Sequence, residues 1–251
     1  MARKKFIAGN WKMNTTLPEA VELAKGVVEK AGSQQDVDVA VCPPCTNLAA
    51  VAEVVKGSAV KLGAQDVHWE EKGAFTGKIS CAMLKSVGVE YVIIGHSEQR
   101  TYFHETNETV NKKVKAALGA GLLPIICVGE TIEQRKADQT ESVVEDHVRG
   151  AFEGVSADDA LKCTIAYEPV WAIGTGETAT PQQANDVHVF IRSILSSLYD
   201  DDTAQAVRIQ YGGSMKPANA KELLAQSDID GGLIGGAALK PDDFAGIIFP
   251  Q

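Results

Sequence analysis

Short apolar runs alternate with longer amphipathic stretches along the whole chain. The runs fall at 6–8, 37–41, 60–62, 91–94, 122–128, 163–166, 207–211 and 232–234. Each is nearly continuous in apolar character, the signature of strands covered on both faces. Between them, helical periodicity predicts helices at 18–30, 47–56, 106–118, 132–152, 181–198, 217–224 and 241–248, with a shorter turn of helix at 81–86. Pro181, Pro217 and Pro241 each open a predicted helix, where the missing N–H leaves no bond unmade.

Eight strand–helix alternations predict a parallel sheet in which every crossover carries a helix. Eight is also the number that closes, so the expected fold class is α/β, a (β/α)8 TIM barrel. The rival is an open, doubly wound sheet. No Gly-x-Gly-x-x-Gly follows the first strand, which removes the main support for a dinucleotide-binding sheet. The 251 residues match the ~250 that one such barrel takes, and no low-complexity stretch or linker divides them. A single domain over 1–251 is expected. The long connection from Gln65 to Ile79 contains Gly73, Gly77 and ordinary polar residues. A connection of that length usually binds something or contacts a partner.

Charge narrows the list of partners. The formal net charge is −9 and the isoelectric point is near 5.1. An acidic field repels phosphate backbones, so nucleic acid is not an expected partner. A small anionic substrate is compatible, because local donors override a screened distant field. No apolar run approaches the ~20 residues of a membrane helix, so no membrane partner is expected. The basic Arg3-Lys4-Lys5 start leads into an apolar stretch too short for a signal-peptide core. Five scattered cysteines suggest free thiols in a reducing compartment, and the expected location is the cytoplasm. Cys42-Pro43-Pro44-Cys45 reads either as a redox pair at a strand–helix junction or as two separate thiols flanking a rigid turn.

Barrel chemistry sits where strands end and loops begin. Three such ends carry usable groups. After the first strand come Asn10-Trp11-Lys12-Met13-Asn14. Lys12 can point its ammonium into the mouth, or it is a solvated surface lysine; Asn10 can donate to a substrate oxygen or cap the loop. After the fourth come Gly95-His96-Ser97-Glu98. If Ser97-Glu98 starts a helical turn, its positive end keeps His96 neutral, and Glu98 lies within reach of Lys12. After the sixth comes Glu168, held extended by Pro169, a candidate base. Pro169 to Gly176, stiff at one end, glycine-rich at the other and apolar between, reads equally as a lid or as a static buried loop. Two further ends, Tyr211-Gly212-Gly213-Ser214 and Ile234-Gly235-Gly236-Ala237, look like anion seats. Glycines let backbone N–H groups converge on a phosphate, and the seventh and eighth strands are the usual phosphate position of a barrel.

Taken together, Asn10-Trp11-Lys12-Met13-Asn14, Gly95-His96-Ser97-Glu98, the run from Ala166 to Gly176, Tyr211-Gly212-Gly213-Ser214 and Gly235-Gly236-Ala237 resemble the triosephosphate isomerase family from first strand to last helix. The resemblance implies interconversion of dihydroxyacetone phosphate and D-glyceraldehyde 3-phosphate through an enediolate, in glycolysis and gluconeogenesis. By resemblance Glu168 is the carboxylate base and His96 a neutral electrophile, the pairing for which this enzyme is a standard example. Lys12 and Asn10 then stabilise substrate charge, Glu98 orients Lys12, and main-chain groups of Gly174, Ser214, Gly235 and Gly236 hold the phosphate. No metal and no cofactor are implied. A homodimer is implied, with the Gln65 to Ile79 loop entering a neighbour's mouth. Four positions depart from the family: Gln99 and Lys78 replace an Arg and a Glu that commonly pair across the interface, Ala238 replaces a Ser, and His104 stands where Gly is common. Two other readings compete: a barrel enzyme acting on a larger phosphosugar, and a phosphometabolite-binding or redox-sensing protein using Cys42 and Cys45.

Overall fold

A computed structural model describes residues 3–172 and 179–251. Eight parallel strands close in sequence order: β1 (Phe6–Asn10), β2 (Asp38–Cys42), β3 (Val60–Ala64), β4 (Tyr91–Ile94), β5 (Leu123–Val128), β6 (Thr164–Tyr167), β7 (Arg208–Tyr211) and β8 (Gly231–Ile234). The last strand pairs back on the first, with Ala8 opposite Leu233. The expected barrel is therefore present, and the open sheet is not.

Two apolar clusters explain why the strands read as continuous. Phe6, Ala8, Ala40, Cys42, Ile93, Ile125, Cys127 and Ala166 form one cluster. Their alternating neighbours Ile7, Val39, Val41, Val92, Ile126 and Ile165 belong to the larger one with the helices. Successive side chains point to opposite faces, so the first set fills the barrel and the second lies under the helical ring. Buried polar groups also lie inside: Thr164 alternates inward with Ala166, and the amide of Gln210 donates across the barrel to the carbonyl of Phe6 at 3.0 Å.

The helices start where short polar side chains can accept the first free N–H groups. Thr180 caps Pro181–Leu198 by accepting from the N–H of Gln183, and Thr106 caps Asn107–Gly119 in the same way. One expected helix is not continuous. The 132–152 stretch divides into Ile132–Lys136 and Thr140–Phe152. Asp138 between them has φ +55°, a left-handed conformation that a helix cannot contain but that Asp tolerates better than most residues. Only the second piece buries a face, with Val144, Val148 and Ala151 turned inward, while the first has no buried residue, so apolar periodicity did not mark the break. The turn foreseen at Ser97 is a full helix, Ser97–Phe103. It ends at His104, with φ +57°, which accounts for glycine being common there in the family that the sequence resembles.

The 65–79 connection is mostly irregular and is pinned at its ends, where the His68 N–H donates to the carbonyl of Ile79 at 2.8 Å. The His68 ring packs against Trp69 and Phe75. Cys42 is fully buried and burial pushes its thiol up to about 12, whereas Cys45 is exposed. Neither forms a disulfide. No helix among the described residues is long and apolar enough to cross a membrane.

Candidate active site

Asn10, Lys12, His96, Glu168, Gly212, Gly213, Ser214, Gly235 and Gly236 line one cavity of about 850 Å³ at the C-terminal ends of the strands. Every sequence-predicted site residue among those described is in this cavity or in contact with it. Glu98 joins through Lys12, whose Nζ lies 2.6 Å from Oε1 of Glu98. Gly174 lies outside the described residues, as does most of the predicted lid beyond Ala172.

Lys12 is held in an uncommon backbone conformation, φ +52°. Its N–H donates to Oδ1 of Asn10 at 3.0 Å, and its carbonyl accepts from Nε2 of Gln65 at 2.8 Å. The same Gln65 amide reaches the carbonyl of Cys42 at 2.9 Å. Three strand ends, from β1, β2 and β3, are thereby tied around the lysine. Asn10 is buried, its Oδ1 caps this turn, and the residue also borders the cavity.

His96 follows Gly95, which has φ +75° and no room for a side chain, since a Cβ would lie 3.0 Å from a Val110 methyl and 3.2 Å from the carbonyl of Cys127. The N–H of Gly95 donates to Glu105 at 3.0 Å, and Arg100 donates to its carbonyl at 3.0 Å. Glu105 in turn pairs with the buried Lys113, which also holds Asp66 at 2.6 Å. This charge cluster fixes the turn that presents His96. Nδ1 of His96 accepts the N–H of Glu98 at 3.2 Å, so its proton resides on Nε2. Burial lowers the imidazole pKa and the adjacent Glu168 carboxylate raises it, the carboxylate prevailing. The backbone acts against protonation: an imidazolium would lose the Glu98 N–H and would meet the positive end of the helix Ser97–Phe103. The hydrogen-bond geometry therefore holds the neutral ring.

Glu168 is buried. Its Oε1 lies 2.9 Å from Nε2 of His96 and its Oε2 accepts the N–H of Ser97 at 2.9 Å. Burial pushes its pKa up, but the hydrogen bonds from His96 and from the Ser97 N–H, with the nearby Lys12 ammonium, favour the ionised carboxylate and hold its pKa below the ordinary value. A charged carboxylate in a desolvated site, with a neutral imidazole beside it and an ammonium nearby, is equipped to remove a proton from carbon and stabilise the oxyanion that results. Gly212 is required here, because a Cβ on it would come within 2.8 Å of Cγ of Glu168.

The start of the segment predicted as a lid or a static loop is anchored by Glu130, which was not among the expected site residues. It is fully buried and accepts from Tyr167 Oη at 3.1 Å, Trp171 Nε1 at 3.0 Å and Arg135 at 3.2 Å. Ser214 ties the Gly212-Gly213 turn to the same segment by donating to the carbonyl of Ala172 at 2.8 Å. Gln65 was noticed only as a loop boundary. The signal was available for both, since each lies one or two residues beyond a strand, β3 and β5 respectively.

The family model for triosephosphate isomerase matches residues 5–250. The chain belongs to the triosephosphate isomerase family. It is accordingly an isomerase. The triosephosphate isomerase of Rhodopirellula baltica is 53 % identical over 248 residues, covering 99 % of this chain and 98 % of that protein. Those of Chloroherpeton thalassium and Carboxydothermus hydrogenoformans are 55 % and 54 % identical, each match covering 98 % of both chains. Family membership bears out the resemblance drawn from the strand-end motifs, and it removes the redox-sensing and larger-phosphosugar readings.

Proposed function

We propose that this isomerase interconverts dihydroxyacetone phosphate and D-glyceraldehyde 3-phosphate, a step of glycolysis and gluconeogenesis, with Glu168 as the base. The observation that supports this most is the convergence of Lys12, His96 and Glu168, from β1, β4 and β6, on one cavity shared with both glycine-rich seats. Glu168 takes a proton from the substrate carbon next to the carbonyl, giving an enediolate, and returns it to the neighbouring carbon. His96, neutral, donates from Nε2 to the carbonyl oxygen and relays the proton between the two oxygens. Lys12 stabilises the developing negative charge and the phosphate, with Glu98 orienting its ammonium. Asn10 supports the Lys12 turn and faces the substrate. Main-chain groups of Gly174, Ser214, Gly235 and Gly236 hold the phosphate. The isomerisation is redox-neutral, so its chemistry requires no electron-carrying cofactor.

The chain acts as one barrel domain and as a cytoplasmic homodimer. Met13, Phe75, Met83, Tyr102 and Phe103 are exposed, and all lie on the connections that leave β1, β3 and β4. Exposed apolar side chains on neighbouring connections favour association with another copy. The Gln65 to Ile79 loop supplies Phe75 at its tip.

The test is a triose phosphate assay with solvent-proton exchange at the substrate carbon, run on the chain and on Glu168→Asp. Withdrawing the carboxylate by one methylene is expected to lower kcat by roughly 10²–10³, about 3–4 kcal/mol of barrier. Near-wild-type turnover in that variant would rule out Glu168 as the base.

A further inference from the structure

His147 lies outside the cavity that holds the proposed substrate site, on the helix Thr140–Phe152 that packs against β5. Its ring lines a second cavity, of about 240 Å³, which Glu168 also borders together with Ser97, Arg100, Cys127 and Gly129. The two cavities thus share the proposed base as a common wall.

The backbone around Glu168 is seated on the end of β5. The N–H of Glu168 donates to the carbonyl of Val128 at 2.8 Å, and the N–H of Val170 donates to the carbonyl of Glu130 at 3.1 Å. Gly129 lies between those two carbonyls. A Cβ on it would fall 1.8 Å from the carbonyl oxygen of Glu168 and 2.7 Å from its carbonyl carbon. Gly129 is therefore packed directly on the peptide unit of the base. What holds Gly129 is a side chain: its N–H donates to Nδ1 of His147 at 3.3 Å.

That bond fixes the chemistry of the ring. An Nδ1 that accepts an N–H is unprotonated, so the ring is neutral with its proton on Nε2. Burial and then the positive charge of Arg100 push the His147 pKa down to about 3, which keeps the Nδ1 lone pair free at neutral pH.

We propose that His147 is a positioning residue for the proposed base, fixing Gly129 by accepting its N–H and so setting where the Glu168 carboxylate stands relative to His96. The role rests on the reading of Glu168 as the base. Sub-ångström placement of a base bears on turnover far more than on substrate affinity, since a 1 Å displacement can cost ~10²-fold in rate.

The experiment compares His147→Leu, which removes the acceptor, with His147→Asn, whose Oδ1 falls where Nδ1 was. Rates are normalised to the folded fraction measured by calorimetry. The Leu variant is expected to lose about tenfold in kcat with KM within about twofold of wild type, and the Asn variant to recover to within about threefold. If the Leu variant does not fold, His147→Gln takes its place; its acceptor overreaches the Nδ1 position, and its kcat is expected to fall below that of the Asn variant. Equal kcat in the acceptor-bearing and acceptor-displaced variants, or a loss shared equally by kcat and KM, overturns the proposal. Glu168→Asp in the same series separates the two readings. A flat His147 series beside an impaired Glu168→Asp removes the positioning role and leaves the base in place.

Discussion

Nε2 of His96 lies 2.9 Å from Oε1 of Glu168, so the proposed electrophile donates a hydrogen bond to the proposed base. Each occupies the hydrogen-bonding capacity that the other will offer to substrate. A substrate carbonyl must insert between them and take over the Nε2–H. Replacing His96 by Gln keeps a donor of similar reach but cannot relay a proton between two oxygens. His96→Gln is expected to lower kcat by about 10²-fold, near 3 kcal/mol, with a smaller change in KM. Steady-state kinetics in both directions checks this, and a change confined to KM would contradict it.

Lys12 is bent into a left-handed conformation that disfavours every side chain and suits glycine. Strain of this kind persists where the surroundings over-determine it, and here Asn10 and Gln65 clamp both sides of the residue. Lys12→Gly is expected to leave the melting temperature unchanged or raise it, while turnover falls by at least about 10²-fold. Calorimetry beside kinetics checks the pair of outcomes. Loss of stability together with activity would show that the ammonium–Glu98 contact holds the loop as well as the substrate.

Much of this was readable from residue order alone, for physical reasons. The near-continuous apolar strands followed from two separate cores, which ask for apolar side chains on both faces at Ile7 and Ala8 or at Ile126 and Cys127. The catalytic candidates were legible because a barrel puts function at strand ends, so that Lys12, His96 and Glu168 occupied comparable positions in the pattern. What stayed hidden depended on long-range pairing. Glu130 looks like any loop glutamate until Tyr167 and Trp171 close on it, and His147 looks like a surface helix position until Gly129 turns its N–H toward the ring. The break at Asp138 was invisible because apolar periodicity reports which face is buried, not whether the helix carrying it is continuous.

His104 terminates the helix Ser97–Phe103 with φ +57° while remaining exposed. A glycine there relieves the Cβ clash but gives the unfolded chain more freedom, and the two effects partly cancel. His104→Gly is expected to raise stability by about 0.5–1 kcal/mol, a shift of roughly 1–4 °C for a chain of this size. Differential scanning calorimetry at neutral pH checks it. A lower melting temperature would mean that the imidazole makes a stabilising contact that outweighs its strain.

Acid should weaken the fold through His188. The residue is fully buried, with Nδ1 3.0 Å from the carbonyl of Asp228; a neutral ring with its proton on Nδ1 satisfies that contact. Burial lowers its pKa from 6.5 to about 4. Between those two values the unfolded chain binds a proton that the folded chain does not, so stability rises with pH across the window and falls on acidification. Below about pH 4 both states are protonated and the loss is complete. The difference amounts to about 3 kcal/mol, present in full above pH 6.5 and gone near pH 4. His188→Gln removes the titrating group and keeps a donor for Asp228. Its stability at neutral pH is expected to be lower, and its decline from pH 6.5 to 4 shallower by about that amount. Urea unfolding at half-unit pH steps for both proteins measures the difference, and parallel curves would show that His188 does not contribute to the acid response.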